Sequence, residues 1–441
     1  MDTIIKILQV ILALSILILV HEFGHYFFAR LFKIRVEKFY LFFDAWFSLV
    51  KYKPKNSDTE FGIGWIPLGG YCKISGMIDE SMDKDAMKEA PKPWEFRSKP
   101  AWQRFFVMFG GVFFNFILAI LIYSATLFTW GEEYLKTNDA IYGVQCNDLA
   151  IEVGFRNGDQ ILSFDGEPVD RFHELQMQLA RNQAQSAQVI RGGENITVDI
   201  DPSFIPQILK TPGMFSLRAP FVILEVPDSS LNVNAGLLPG DMFVAIDSVP
   251  TPAIQDVQEK LFARKGDYID VTILREGETI HKMVAIDTAG RIGIVLEGDI
   301  YKFFNITTHK YSLSAAIPAG LNKATGTIAN YFKELGLIFS PKTEAYKSVG
   351  SFITIGKIFP SSWDWEVFWG ITAWLSIMLA VLNLLPIPAL DGGHILFVIY
   401  EIVTRRKPSD KFLEYAQIAG MMILFAVMFL AFGNDIYRLF K

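Results

Sequence analysis

Two histidines and a glutamate have the spacing of a metal-binding motif. His21, Glu22 and His25 lie in the sequence His-Glu-Phe-Gly-His. On a helix, residues four apart lie one above the other, so both imidazoles can bind one metal ion. Glu22 then lies beside the ion without being a ligand, as a general base requires. By itself the motif is a weak signal, because it also occurs on the polar faces of soluble helices.

A second group of chemically suited residues lies near the C-terminus, in Asn383-Leu-Leu-Pro-Ile-Pro-Ala-Leu-Asp391-Gly-Gly-His394. The two prolines break an apolar run, and broken backbone at membrane depth needs a covering of protein or a watery cavity. We expect the break to turn Asp391 inward as a third ligand and to leave one metal position open. Asn383 can position a substrate or stabilise an oxyanion. As alternatives, Asn383 is an interhelical hydrogen-bonding residue and Asp391 a helix cap, and His394 lies only near the site.

The segments that carry these motifs are long and apolar enough to cross a membrane. Of 441 residues 51% are hydrophobic, and 38 are Phe. We predict four transmembrane segments: Ile4–Arg30, Phe105–Trp130, Trp365–Tyr400 and Phe412–Phe432. Ionisable groups at membrane depth are costly and indicate function. The first segment follows Asp2 and lacks a small-residue cleavage site, so we expect it to be retained rather than removed as a signal peptide.

Charge and cysteine content indicate the topology. Basic residues flank the first two segments on one side and fill the turn between the last two, which predicts that these flanks are cytoplasmic and Gly131–Asp364 lies outside. Cys72 and Cys146 then lie on opposite sides, so no disulfide is expected. The net charge of −6 argues against nucleic acid as a partner.

Residues 34–77 contain β-prone aromatic runs and a polar turn, which predict hairpin strands dipping into the cytoplasmic leaflet near the metal. A surface loop with aromatic anchoring is the alternative. The charged residues 79–99 predict a cytoplasmic loop with a short amphipathic helix. Residues 311–359 have amphipathic helical spacing and are too polar to span, so we expect a helix at the outer surface. In the second span, packing accounts for Gly110, Gly111 and Asn115.

The outer region contains an internal repeat. Val153–Gly166 and Ala235–Ser248 align at a constant offset of 82 residues, each with a Gly-Asp turn, a strand and a following helix. The pattern resembles circularly permuted bacterial PDZ domains, which bind extended peptides at a sheet edge. We expect peptide grooves at two sets of residues: Tyr142, Gly143 and Val144 in the first copy, and Phe221, Val222 and Ile223 in the second. The alternative is a pair of domains that binds nothing and acts as a steric spacer.

Together these motifs resemble the site-2 protease family of intramembrane zinc metalloproteases, of the RseP type that regulates an envelope-stress sigma factor. The resemblance rests on the His-Glu-x-x-His motif, Asn-x-x-Pro-x-Pro-x-Leu-Asp-Gly, the repeat, Pro67–Tyr71 and Ser348–Lys357. It implies zinc held by His21, His25 and Asp391, with Glu22 as the base. It also implies substrate contacts at these positions: Asn383, Pro386, Gly69, Gly70 and Tyr71. Ser-Phe-Ile-Thr at 351–354 and Gly-Gly at 110–111 depart from the family's Gly-Pro.

The predicted fold is a polytopic α-helical membrane protein with four transmembrane helices, a membrane-associated β-hairpin and two α+β PDZ domains. The predicted parts are 1–33 (first helix), 34–77 (β segment), 78–101 (cytoplasmic loop), 102–130 (second helix), 131–214 and 215–304 (PDZ domains), 305–362 (linker), 363–403 (third segment), 404–411 (loop) and 412–441 (fourth helix).

The expected function is proteolysis of a single-span membrane protein within the membrane. The resemblance implies a trimmed anti-sigma factor or a remnant signal peptide as substrate, with the repeats as a size filter. We expect a monomer in contact with lipid in a bacterial inner membrane. A transporter and a non-catalytic membrane-anchored scaffold are the competing hypotheses. The absence of an inverted repeat argues against the first, and the presence of Glu22 against the second.

Overall fold

The computed structural model describes residues 2–77, 90–348 and 350–440. It forms two compact units. The first comprises Met1–Gly131, Lys310–Gly336 and Tyr346–Lys441, and the second comprises Glu132–His309 and Leu337–Ala345. Most of the segment 79–99, for which a short amphipathic helix is predicted, lies outside the described residues.

The first unit begins with a long helix, a hairpin and a second long helix. Helix α1 (Asp2–Leu31) continues from the apolar run through the His-Glu-x-x-His motif without interruption. Strands β1 (Val36–Tyr52) and β2 (Glu60–Ile74) form an antiparallel hairpin. Helix α2 (Ala101–Thr129) begins directly after Pro100, a residue that helices tolerate only at their first turn.

A bulge interrupts the first strand of the hairpin. Phe42 and Trp46 both have a φ of 69°, a left-handed conformation that is uncommon for bulky residues. Across this stretch the pairing shifts from Phe43 opposite Ile66 to Ser48 opposite Gly64. Residues 39–41 and 50–52 both pair with residues 61–63, so the irregularity bends the first strand and places its two aromatic runs at different positions in the sheet.

The second unit contains two copies of one arrangement. Strand β3 (Glu132–Leu135) precedes the first copy, which consists of β4 (Val144–Cys146), α3 (Asp148–Val153), β5 (Gln160–Phe164), β6 (Glu167–Pro168), α4 (Leu175–Asn182), β7 (Ser186–Arg191), β8 (Glu194–Asp199), α5 (Ile205–Lys210) and β9 (Phe215–Leu217). The second copy consists of β10 (Phe221–Glu225), β11 (Met242–Ile246), β12 (Val249–Pro250), α6 (Ile254–Ala263), β13 (Tyr268–Arg275), β14 (Glu278–Ala285) and β15 (Val295–Leu296). Strand β16 (Ile306–His309) then pairs with β3.

Sheet pairing follows the same plan in both copies. The three long strands lie in the orders β5-β7-β8 and β11-β13-β14, with β6 and β12 on the first strand of each. The last strand of each copy pairs with its first, so β9 pairs with β4 and β15 with β10. Phe215–Leu217, which the sequence assigned to the second domain, therefore completes the sheet of the first copy.

The Gly-Asp turn of each copy is held by the same ion pair. Arg191 donates two hydrogen bonds of 2.7 Å to Asp159, and Arg275 donates two of 2.6 and 2.7 Å to Asp241. Each aspartate also accepts a backbone N–H three residues upstream at 2.8 Å, and both are fully buried. Bidentate Arg–carboxylate pairs fix orientation as well as contributing energy, which accounts for the repetition of the turn in the sequence.

The rest of the first unit is helical. Helix α7 (Leu313–Phe339) and the short α8 (Phe352–Ile358) precede α9 (Trp365–Leu384), α10 (Asp391–Thr404) and α11 (Asp410–Leu439). Within the described residues, four helices are long and apolar enough to cross a membrane: Thr3–Leu31, Ala101–Thr129, Trp365–Leu384 and Lys411–Tyr437. The predicted third span, Trp365–Tyr400, is divided, because its helix ends at Leu384 and a new one begins at Asp391.

Candidate active site

The metal-binding motif lies in the middle of the first unit's helices. His21 and His25 are one turn apart on α1, and their Nε2 atoms are 3.3 Å from each other. Both residues are buried, with 8% and 6% of their surface exposed. Buried imidazoles need polar partners, so the surroundings of these two rings decide what they can bind.

A break between helices α9 and α10 brings a carboxylate to the two imidazoles. Helix α9 ends where Leu385, before Pro386, has a ψ of 142°, as the clash with a following proline requires. Ala389 has a φ of 91°, which is strained for a residue with a side chain. Helix α10 then begins at Asp391, and its Oδ2 atom lies 3.2 Å from Nε2 of His21 and 3.3 Å from Nε2 of His25.

These three atoms form a nearly equilateral triangle that fits a metal ion. With sides of 3.2, 3.3 and 3.3 Å, the centre of the triangle lies about 1.9 Å from each corner, close to zinc–nitrogen and zinc–oxygen bond lengths. Oδ2 of Asp391 is also buried without a hydrogen-bond partner among the described residues. Two imidazoles and one carboxylate are a donor set that zinc favours. The residues therefore fit zinc.

Helix α2 supports the imidazoles from behind. Nδ1 of His25 lies 2.8 Å from the carbonyl oxygen of Val107. A carbonyl only accepts, so Nδ1 carries the hydrogen and Nε2 keeps its lone pair for a metal. Helices α1 and α2 meet at Gly24 and Gly110. A Cβ atom added at the neighbouring Gly111 would lie 2.5 Å from Nε2 of His25. A larger residue at Gly111 would occupy the space of the imidazoles.

A cavity of about 720 Å³ opens onto this triangle. Glu22 and Asn383 line it, and Nδ2 of Asn383 lies 3.4 Å from Nε2 of His21. His394 also lines it but is outside the three-residue cluster. Of the residues predicted to contact substrate, Gly69, Gly70, Tyr71 and Asn383 line the cavity, whereas Pro386 lies in the break and does not.

Comparison with known proteins agrees with this geometry. Residues 9–427 match the family described as Peptidase family M50. The chain belongs to this family. It is a zinc-dependent metalloprotease of the site-2 protease family.

Three relatives of the M50 protease are similar along nearly all of its length. A Neisseria meningitidis protein named as a putative zinc metalloprotease is 29% identical over 456 residues, covering 98% of this chain and 99% of its own. A protein of the same description from Borreliella burgdorferi is 28% identical, covering 92% of each chain. The metalloprotease MmpA of Caulobacter vibrioides is 26% identical, covering 98% of this chain and 96% of its own.

A polar network in the hairpin of the protease also reaches the cavity. The Tyr71 hydroxyl donates to Asp44 at 2.8 Å, and Nζ of Lys38 lies 3.4 Å from the same carboxylate. All three residues line the cavity. Sequence reasoning missed Asp44. The available signal was its position as the one charged residue within the aromatic run Phe39–Val50.

The grooves predicted in the repeats are not open strand edges. Val144 exchanges backbone hydrogen bonds with Gly158 and Asp159 on one side, and β4 pairs with β9 on the other. Ile223 likewise bonds to Gly240 and Asp241, while β10 pairs with β15. The predicted peptide grooves at Tyr142–Val144 and Phe221–Ile223 are therefore wrong as sites of strand addition, because the chain's own strands satisfy this backbone.

Proposed function

We propose that the protease cleaves the transmembrane segment of single-span membrane proteins within the bilayer. The main observation behind this proposal is that His21, His25 and Asp391 converge on one point between helices long enough to cross a membrane. Between helices of this length and hydrophobicity, the metal centre would lie inside the membrane. A substrate that is itself in the membrane can reach it.

The proposed roles of the residues follow from their positions. His21, His25 and Asp391 hold the zinc ion, which when bound supplies Lewis acidity to a water molecule and to the scissile carbonyl. Glu22 lines the same cavity. Its carboxylate takes a proton from the attacking water and delivers it to the leaving amine. Asn383, beside His21, orients the peptide group that reacts.

A helical substrate must unwind before its carbonyl can react, because the carbonyl is hydrogen-bonded within the helix. The hairpin supports a way to hold the unwound stretch. Gly69, Gly70 and Tyr71 of β2 line the cavity, and an extended peptide can add to a strand edge by main-chain hydrogen bonds. Pro386 contributes indirectly in this proposal, by forming the break that places Asp391.

The biological setting in this proposal is regulated intramembrane proteolysis in the envelope stress response. The substrate is an anti-sigma factor whose outer domain has been trimmed, or a remnant signal peptide. The protease lies in a bacterial inner membrane with its site near the cytoplasmic face and the repeats, as tandem PDZ domains, in the periplasm. Because strands β9 and β15 occupy the expected grooves, we favour a size filter over peptide binding for these domains.

Cleavage of a tagged single-span substrate with a short outer stub tests the proposal. The purified protease is compared with Glu22→Gln, which keeps the size of the side chain but removes its proton-accepting function. Glu366→Gln is the matched control, because Glu366 is exposed in the first turn of α9. We expect cleavage by the wild type and the control, loss of cleavage in Glu22→Gln, and one zinc ion in all three.

Two results would contradict the proposal. Cleavage by Glu22→Gln at the wild-type rate would exclude Glu22 as the base. Cleavage only of a soluble peptide, with a membrane-embedded substrate of the same sequence untouched in vesicles, would exclude intramembrane action. A substrate with a large folded outer domain, compared with the short stub, tests the size filter separately.

A further inference from the structure

We propose that Asn115 is a positioning residue for His21. Its side-chain oxygen accepts a hydrogen bond from Nδ1 of His21, which leaves Nε2 free to bind zinc and fixes the plane of the ring. The inference rests on the proposed ligand set. It changes the sequence interpretation of Asn115, for which helix packing was a sufficient explanation.

The contact between the two side chains lies deep in the first unit. Asn115 is fully buried on α2, and its Nδ2 atom lies 3.4 Å from Nδ1 of His21. Its Oδ1 atom is buried without a hydrogen-bond partner among the described residues. An amide can be rotated by half a turn with the same outline. In that orientation the orphaned oxygen meets Nδ1 and accepts its hydrogen.

Helix α2 places a polar group at Nδ1 of both histidines. His25 is held at Nδ1 by the carbonyl oxygen of Val107, and His21 is held at Nδ1 by a residue eight positions further along α2. Eight residues are about two helical turns, so both supports lie on the face that points at α1. Ser376 of α9 donates to the backbone oxygen of Asn115 at 2.8 Å, which holds that part of α2 in place.

A hydrogen bond at the second nitrogen of a metal-binding histidine sets the tautomer and raises the basicity of the ligand. Removing such a partner costs about 10- to 100-fold in metal affinity. At His21 this contribution would come from Asn115, which lies at Nδ1, whereas His25, Asn383 and Asp391 all lie on the Nε2 side.

Zinc affinity of the purified full-length protease, measured by competition with a chromophoric chelator, tests the inference. Asn115→Leu removes the acceptor at similar volume, and Asn115→Ala removes it without added bulk. Asn115→Asp retains an acceptor. Ser376→Ala is the packing control, because Ser376 contacts the backbone of Asn115 but not His21. The visible absorption of the Co²⁺-loaded protein reports the ligand geometry independently of activity.

We expect zinc affinity to fall about 10- to 100-fold in Asn115→Leu and Asn115→Ala, with an altered Co²⁺ spectrum. Asn115→Asp should restore both, and Ser376→Ala should stay within about twofold of wild type. If either folded variant without the acceptor binds zinc like the wild type, Asn115 is only a packing residue. The variant His21→Ala distinguishes a failure of the ligand set from a failure of the role of Asn115. Unchanged zinc binding in His21→Ala would overturn the ligand set itself.

Discussion

Aspartates with buried carboxylate oxygens occur in both units of the protease, but their charges are balanced in different ways. In the second unit, Asp159 and Asp241 each receive two hydrogen bonds from an arginine of the same repeat. In the first unit, the ion-pair partners of Asp391 within the described residues are two imidazoles, and its Oδ2 atom has no hydrogen-bond partner there. The repeats balance their buried charges internally, whereas Asp391 is arranged for a cation from outside the chain.

The difference separates a structural carboxylate from a functional one. A buried carboxylate oxygen without a hydrogen-bond partner is costly, so an arrangement such as that of Asp391 persists where function requires it. The bidentate pairs of the repeats instead stabilise a turn. Removing the negative charge should therefore affect metal binding in the first unit and folding in the second.

The largest effect is expected for Asp391→Asn. The substitution removes a zinc ligand, so zinc affinity should fall by more than the roughly 100-fold that loss of a supporting contact costs, and proteolysis should stop. Because a buried charge disappears, the metal-free protein should unfold at the same temperature as the wild type or higher. Metal analysis, cleavage and thermal unfolding in chelator measure this. Asp364→Asn, an exposed helix cap, should retain zinc; full zinc binding by Asp391→Asn would contradict the comparison.

The opposite pattern is expected for Asp159→Asn. Arg191 loses its charged partner. Breaking a buried ion pair lowers the free energy of unfolding by about 3 kcal/mol or more. We expect the lower end of that range, because the Arg191 side chain is 31% exposed. Hydrogen exchange in β5 and β7 should increase while zinc binding stays unchanged. Asp241→Asn should have the same effect on β11 and β13. Exchange rates equal to wild type in both variants would show that these pairs do not stabilise the repeats.

A smaller effect is expected where α2 meets the histidines. In Gly111→Ala the added Cβ would approach Nε2 of His25 to 2.5 Å, so the imidazoles must shift and zinc affinity should fall about tenfold or more. Gly370→Ala is the control, because nothing lies within 4 Å of a Cβ at that helical position. Equal zinc affinities of the two variants would show that the close approach of α2 does not position the ligands.

The smallest effect concerns the thiol of Cys146 in the second unit. Burial, with a lesser contribution from Asp159, raises the pKa of Cys146 to about 12. The thiolate is the reactive form, so alkylation in a Cys72→Ala background should be slow at pH 8. It should accelerate about tenfold per pH unit up to pH 10, because the thiolate fraction rises in that proportion below the pKa. A rate that levels off near pH 8.5 would indicate an exposed thiol.

The sequence predicted the parts of the site that depend on spacing within one element. Four residues on a helix place His21 and His25 together, and two prolines end α9 before Asp391. Long apolar runs likewise predicted the four membrane-length helices, and the Gly-Asp repeat predicted the two strands that the structure places at β5 and β11.

Contacts between elements that are far apart along the chain could not be predicted from the sequence. Nothing in one sequence shows that β9 and β15 cover the expected grooves, because register depends on partners far along the chain. Asn115 was assigned to packing because its distance to His21 depends on how closely Gly24 and Gly110 bring two helices together. Asp44 was missed because its neighbours are aromatic, and only the bulge in β1 and the hydroxyl of Tyr71 place it at the cavity.

The most direct test of the metal centre is X-ray absorption at the zinc edge of the purified, zinc-loaded protease. The geometry predicts two imidazole nitrogens at about 2.0–2.1 Å and carboxylate oxygen at about 2.0–2.2 Å, without sulfur. In His25→Ala the imidazole scattering should fall by half or the zinc should be lost. A sulfur ligand, or a spectrum with no imidazole scattering in the wild type, would contradict the assignment of His21, His25 and Asp391 as the ligands.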